Sequence, residues 1–242
     1  MRKGIFLFLL LSCNMRVSHP HVGIFSTVDA LMRGDSTSTG FFTNASLYDA
    51  KYELIEYKTA QGAVLVPNSG TGDVLICRYD TATLIPTWVQ TAGGRGEDGG
   101  GNYFVDGNNG SVYVTGYFQD TAYFPITPGS SRCDTVISQG NGDMFIAKYR
   151  YDNGALQWVR SGGSKNSDVV FMYGGSRHSE TFMLVDSVSV TICTNFFGPA
   201  TFSDHSIDAK PTGSAVAIRY NKKDGSVLSV RFVTDMAELR ER

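Results

Sequence analysis

Acidic side chains near the middle of the sequence are the first candidates for chemistry. Glu97 and Asp98 are adjacent, and Asp106 follows shortly after them. Two carboxylates that face one cleft, roughly 5 to 10 Å apart, can hydrolyse a glycosidic bond. Glycines surround these residues, however, and aspartate in a glycine-rich turn usually bonds to nearby backbone amides. We therefore interpret the three carboxylates as turn and joint residues, with glycoside hydrolysis as the alternative.

Other segments carry side chains that can bind metal. Residues 106–110 are rich in oxygen ligands, but they lack the alternating ligands and the distal glutamate of an EF-hand loop, so they predict a turn. His178 lies close to Glu180, and residues 204–208 contain His205 between two aspartates. Isolated loop histidines seldom make up a zinc ligand set. The sequence therefore predicts no metal site, no cofactor and no catalytic residue.

Recurring hairpins position these side chains. In residues 142–163 apolar and polar side chains alternate, and the turn at residues 152–154 ends in glycine, which together predict a β-hairpin. The same pattern occurs at residues 72–94 and again at residues 213–231. Because the pattern occurs three times, we interpret the chain as an array of similar units.

A second hairpin precedes each of these. Residues 103–114 form a clear hairpin pattern with its tip at Asp106 to Gly110, and residues 183–190 are a shorter version. Asp29 takes the corresponding place in the first unit. Each unit therefore holds four strands within roughly 70 residues, a period that is typical of propellers and other arrays.

Large aromatic side chains recur at matching strand positions. They are Tyr79, Tyr149, Tyr220, Trp88 and Trp158. Aromatic rings at strand periodicity are more typical of a buried core than of a sugar-binding platform. We expect these rings to pack between neighbouring units.

The order of these phrases resembles the SBBP-type β-propeller repeat family, which occurs mainly in secreted and cell-surface proteins. The phrases are a glycine-rich joint, an aspartate-turn hairpin, a Phe-Pro-x-Thr-Pro-Gly segment and a strand that leads to a tryptophan, here at residues 93–98, 106–116, 124–129 and 143–158. The third unit has Ser229 where tryptophan stands in the others. The resemblance implies four-stranded blades and transfers no catalytic residue to this chain.

We therefore expect an all-β, propeller-type repeat of about three four-stranded blades, forming a partial or open propeller. The expected divisions are a leader at 1–13, a first blade with an irregular start at 14–94, blades at 95–164 and 165–235, and a charged tail at 236–242. A closed propeller usually has roughly 4 to 8 blades. Three blades fall short of that number, so the chain is a fragment, or it assembles with other chains to close a ring, or it forms an open stack. In an open stack the exposed face of the last blade should tend to associate with other molecules.

Composition and the first residues bear on location. The formal net charge is −2 and no basic stripe is present, so nucleic acid is not an expected partner. No apolar run reaches the roughly 18 to 20 residues of a membrane span. Residues 1–13 resemble a short secretory signal, and Cys13 stands where a bacterial lipoprotein carries its lipid; an inaccurate start site is the alternative. We expect a secreted or cell-surface protein.

Three cysteines remain outside this leader. Cys77 and Cys193 lie in predicted strands, and Cys133 lies in a predicted loop. Their spacing contains no Cys-x-x-Cys motif, so we expect free thiols that behave as small apolar side chains.

These features favour a non-catalytic extracellular module that binds a glycan or a surface protein, or that serves as a structural scaffold. The predicted contact segments are the variable loops at residues 50–71 and 125–141, because rigid scaffolds present recognition on loops. One alternative is a carbohydrate-active enzyme, a hydrolase or lyase, on a propeller scaffold. Another is an architectural repeat without a ligand.

Overall fold

The structure, a computed structural model, describes residues 40–47, 54–59, 62–67, 70, 72–80, 82–83, 85–166, 168 and 182–234. Over these residues the chain is all β, with a single turn of 3-10 helix at Gly107–Asn109. The strands are β1 (Gly40–Leu47), β2 (Leu54–Thr59), β3 (Gly62–Pro67), β4 (Asp73–Asp80), β5 (Pro86–Gly94), β6 (Gly99–Asp106), β7 (Ser111–Phe118), β8 (Thr121–Pro125), β9 (Cys133–Ile137), β10 (Asp143–Arg150), β11 (Leu156–Ser164), β12 (Phe182–Val185), β13 (Ser189–Phe196), β14 (Pro199–Phe202), β15 (His205–Asp208), β16 (Ser214–Asn221) and β17 (Val227–Phe232).

Antiparallel pairing joins these strands into three larger sheets and one separate hairpin. The first sheet has the order β1-β4-β5-β8-β9, and the middle sheet has the order β15-β14-β11-β10-β7-β6. The third sheet has the order β12-β13-β16-β17, and within the described ranges β2 pairs with β3 alone. The expectation of an all-β fold is therefore confirmed.

One strand order occurs in both the middle and the third sheet. Strands β6-β7-β10-β11 and strands β12-β13-β16-β17 are adjacent in that order, and in each case a further hairpin separates the second strand from the third. In the first sheet β1, β4 and β5 follow the same order. Asp73, Asp143 and Ser214 each begin the corresponding strand, namely β4, β10 and β16. The hairpins predicted at 72–94, 103–114, 142–163, 183–190 and 213–231 are all confirmed.

The intervening hairpins pair with the preceding sheet. Strand β8 extends the first sheet beyond β5, where Gly93 lies opposite Tyr123. Strand β14 extends the middle sheet beyond β11 in the same way, where Gly163 lies opposite Thr201. Each of these sheets therefore contains strands from two successive segments of the chain, which the sequence did not predict.

The middle sheet is buried on both faces. From β10, Phe145, Ala147 and Tyr149 pack in one apolar core together with residues of the first sheet. Met144 and Ile146, from the opposite face, pack in a second core together with residues of the third sheet. Alternation along a single strand thus supplies two cores, as the period-two geometry of a strand requires. The aromatic residues predicted to be buried are indeed buried, namely Tyr79, Tyr149, Tyr220, Trp88 and Trp158.

Two predicted loops contain strands. The segment 125–141 includes β9, so Cys133 begins a strand and does not lie in a loop. The segment 50–71 includes β2 and β3. They were predicted to be loops because they are insertions of different length between the recurring hairpins, but β2 and β3 pair with one another and β9 pairs with its neighbour β8.

The glycine-rich joint at 93–101 is also more ordered than a linker. Strand β5 continues to Gly94 and β6 starts at Gly99. A β-carbon on Gly94 would collide with the carbonyl oxygen of Thr121, so the glycine permits the close approach of β8.

Several predictions fall on residues outside the described ranges. These are the leader with Cys13, Asp29, the pair His178 and Glu180, and the tail at 236–242. The described residues contain no helix of the length and apolar character that crossing a bilayer would require.

Candidate functional site

The carboxylates considered for hydrolysis lie at opposite ends of one strand. Asp98 directly precedes β6, and Asp106 is its last residue. A strand of this length rises about 3.3 Å per residue, so the two carboxylates are about 25 Å apart. Both are buried, and Glu97 accepts a hydrogen bond from the Tyr117 hydroxyl at 3.0 Å. These three carboxylates do not face one cleft, which supports their interpretation as turn and joint residues.

Asp106 belongs to a buried charge cluster between the middle and third sheets. Its Oδ2 lies 2.5 Å from the ammonium nitrogen of Lys222 and also accepts a hydrogen bond from the Asn109 side chain at 2.9 Å. Burial pushes the pKa of Asp106 upward, but these hydrogen bonds outweigh it and hold the pKa below its ordinary value. Asp106 is thus the ionised partner of a lysine, and the turn interpretation of 106–110 stands.

Lys222 connects the two sheets through its backbone as well. Its carbonyl oxygen accepts hydrogen bonds from the Lys148 ammonium at 2.8 Å and from the Trp158 indole at 3.3 Å. Its ammonium donates to the carbonyl oxygen of Asp186 at 2.7 Å. Burial, together with the nearby charge of Lys222, lowers the pKa of Lys148. Lys222 therefore holds β6, β10 and β11 of the middle sheet to the turns of the third.

A matching contact joins the first and middle sheets. The Trp88 indole donates to the carbonyl oxygen of Tyr151 at 3.0 Å, as Trp158 does to Lys222. The Arg78 guanidinium lies 4.4 Å from the centre of the Tyr151 ring, a cation–π geometry. Arg78 and Lys148 occupy corresponding places in β4 and β10. We call the contact between a tryptophan and the turn of the next sheet the indole latch.

A glycine completes each indole latch. A β-carbon on Gly154 would lie 2.7 Å from the indole of Trp88, and one on Gly225 would lie 2.8 Å from the indole of Trp158. Both glycines have positive φ, 70° and 72°. Tryptophan and turn therefore fit together only because the turn residue has no side chain.

The remaining candidate metal ligands do not form a common site. His205 Nδ1 lies 2.9 Å from Asp204, and both side chains lie near the surface. Asp208 is at the other end of β15. Across the residues that the structure describes, no three His, Cys, Asp or Glu side chains are placed to hold a metal ion.

One exposed surface has the character of a binding site. In the hairpin β8–β9, Ala122, Phe124 and Val136 point inward and are buried. Tyr123 and Ile137 lie on the opposite face and remain 51% and 69% exposed. Their partners across the hairpin, Thr135 and Thr121, lie on that same outer face. We call these four residues the hairpin face.

Neither a family model nor a curated protein matches this chain.

Sequence reasoning missed the residues that join the sheets. Lys148 is buried in β10, where its neighbours along the strand are apolar. A lysine within an apolar strand indicates that its ammonium group has a buried partner, and this signal was present in the sequence. Lys222 gave no such signal, because its partners Asp106 and Lys148 are distant in sequence and become neighbours only when sheets stack.

Proposed function

We propose that this chain is a non-catalytic, exported propeller-type repeat module that binds a glycan or a surface protein. The propeller-type arrangement is supported by the recurring strand order and by the two indole latches, which join successive sheets in the same way. Export is inferred from the signal-like residues 1–13. The polar residues that suggested chemistry make structural hydrogen bonds, which favours binding over catalysis.

The hairpin face carries this proposal. It lies on a rigid element, because β8 pairs with β5 and its inner side chains are buried. An exposed tyrosine beside an exposed isoleucine and two threonine hydroxyls combines an apolar surface with hydrogen-bonding groups, a composition that suits sugar rings and protein interfaces. Thr135 and Ile137 lie within the segment 125–141, which the sequence singled out for recognition, whereas Thr121 and Tyr123 precede it.

The third sheet differs from the middle sheet at the positions that form the indole latch. In the middle sheet Trp158 lies opposite Lys148, which lies opposite Tyr113. The corresponding positions of the third sheet hold Ser229, Arg219 and Thr191. None of these three side chains has an aromatic ring, so these positions of the third sheet provide no tryptophan for an indole latch.

The test is binding by the purified chain to an array of glycans and to a panel of surface proteins, measured by biolayer interferometry. The double variant Tyr123→Ser/Ile137→Ser should weaken binding by at least about tenfold, the scale expected for losing apolar contacts at the centre of an interface. Val188→Ser is the control, because Val188 is 57% exposed in the turn between β12 and β13, away from the hairpin face. Equal binding by the wild type and the double variant would refute the hairpin face as the site.

A further inference from the structure

Buried aspartates meet where one sheet passes to the next. Asp73 and Asp98 lie beside Gly93 at the first of these joints, and Asp143 and Asp168 lie beside Gly163 at the second. We call them the joint pairs. A β-carbon on Gly163 would be 2.7 Å from Asp168 Oδ2 and closer still to Asp143 Oδ1, so the two carboxylates crowd around the same point. All four side chains are almost fully buried.

Hydrogen bonding recurs in the two joint pairs. Asp98 accepts from the amide of Gly94 at 2.7 Å and from the amide of Gln119, in the next segment, at 3.1 Å. Its own amide donates to the carbonyl oxygen of Gly72 at 2.9 Å. The second carboxylate of each joint thus ties three separate parts of the chain together.

Asp168 repeats these contacts at the second joint. It accepts from the amide and hydroxyl of Ser164 and from the amide of Phe197, and its own amide donates to the carbonyl oxygen of Gly142. Gly142 directly precedes β10, as Gly72 precedes β4. The same arrangement of donors therefore occurs twice, which makes it a property of the joint.

The second joint leaves one carboxylate oxygen unsatisfied. Asp143 Oδ2 accepts from the amide of Gln139 at 2.7 Å, whereas Oδ1 is buried and has no hydrogen-bond partner in the described part of the chain. The donors to Asp98, Asp143 and Asp168 in that part are neutral amides and a hydroxyl. Two buried negative charges side by side without a cation are strongly unfavourable, and a proton on one carboxyl removes the repulsion and provides the missing donor.

We propose that Asp143 and Asp168, the joint pair between the middle and third sheets, share one proton in the folded chain, so that the contact between these sheets weakens as the pH rises from acid to neutral. Buried aspartates recur at the corresponding first joint, whereas in the described part of the third sheet Ser214 takes the position of Asp73 and Asp143.

The surroundings of the joint pairs also favour protonated carboxyl groups. Burial raises the pKa of Asp98 to about 6, with smaller contributions from the charges of Asp120 and Glu97. Burial likewise raises the pKa of Asp143 to about 6, with a contribution from Asp168, whose own pKa is raised by burial. The charged groups that act on these aspartates are all acidic.

Proton linkage gives the direction in which the stability of the folded chain changes with pH. A carboxyl with a pKa of 3.8 when unfolded and about 6 when folded binds its proton more tightly in the folded chain. Its contribution to stability is complete below the unfolded pKa and is lost as the pH rises through about 6. The corresponding fall in the ratio of folded to unfolded chain is about 100-fold for each such carboxyl.

The experiment is urea unfolding of the whole chain, followed by circular dichroism, at several values between about pH 5 and about pH 8. The wild type should lose stability across this range. Asp143→Asn, whose amide can donate to Asp168 without titrating, should remove about tenfold of that loss, because the rest of the 100-fold falls below pH 5. Asp134→Asn is the matched control at an exposed aspartate and should behave as the wild type. A pH dependence that Asp143→Asn leaves unchanged would overturn the proposal.

A second measurement does not depend on any variant. Carbon-13 NMR of the aspartate carboxyls in the wild type should show members of the joint pairs titrating near pH 6, well above the ordinary aspartate value of 3.8. Ordinary titration of all four would overturn the proposal. So would a large gain in stability at neutral pH on adding calcium, because the joint would then hold a cation in place of the proton.

Discussion

Gly154→Ala tests the fit between the first and middle sheets. The residue has φ of 70°, and a β-carbon there would lie 2.7 Å from the Trp88 indole. Left-handed backbone costs a non-glycine residue about 1 to 2 kcal/mol. Displacing a packed ring costs about 1 to 3 kcal/mol more. We therefore expect the free energy of unfolding to fall by about 2 to 5 kcal/mol.

Gly129→Ala separates the two contributions. Gly129 has nearly the same φ, 74°, but a β-carbon there would meet nothing within 4 Å. This control should lose only the backbone contribution of about 1 to 2 kcal/mol. The measurement is urea unfolding followed by circular dichroism. Tryptophan fluorescence is unsuitable, because Trp88 lies in the mutated contact and its signal would change even without unfolding. Equal losses in the two variants would refute the indole latch. Gly225→Ala, which faces Trp158, should behave as Gly154→Ala does.

Two further predictions concern the third sheet. Asp106→Ala leaves the buried Lys222 ammonium without its carboxylate and should cost about 3 to 5 kcal/mol, whereas the double variant Asp106→Ala/Lys222→Met should recover most of that loss in urea unfolding. A double variant no more stable than Asp106→Ala would contradict the buried pair. Native mass spectrometry of the purified chain should show a monomer, because Ser229 and Thr191 do not offer a following sheet the rings found at Trp158 and Tyr113. A defined dimer would show instead that this face receives a second copy.

The hairpins could be predicted because their signals are local. Asp152, Asn153 and Gly154 specify a tight turn, and the alternation of Phe145, Ala147 and Tyr149 specifies a strand. The structure places that turn directly between β10 and β11. Burial of the aromatic residues followed from the same alternation.

The contacts between sheets could not be predicted in the same way. The alternation in β8 is satisfied by burying Ala122 and Phe124, and it does not specify which strand pairs with its edge. Likewise, the turn at Asp106 is complete within residues 106–110, and nothing local indicates that Lys222 lies beside it. These contacts depend on how sheets stack, which is a property of the assembled chain.

Pairing of β8 with β5 has a consequence during synthesis. When the ribosome has produced β5, this strand can pair with β4, but the edge of Gly93 and Gly94 that later faces β8 stays unpaired until residues 121–137 emerge from the exit tunnel. Likewise, the edge of β11 that pairs with β14 has no partner until residues 199–208 have been synthesised. An unpaired strand edge invites wrong partners, so a translational pause between β5 and β8 prolongs the period in which the nascent chain is vulnerable to aggregation.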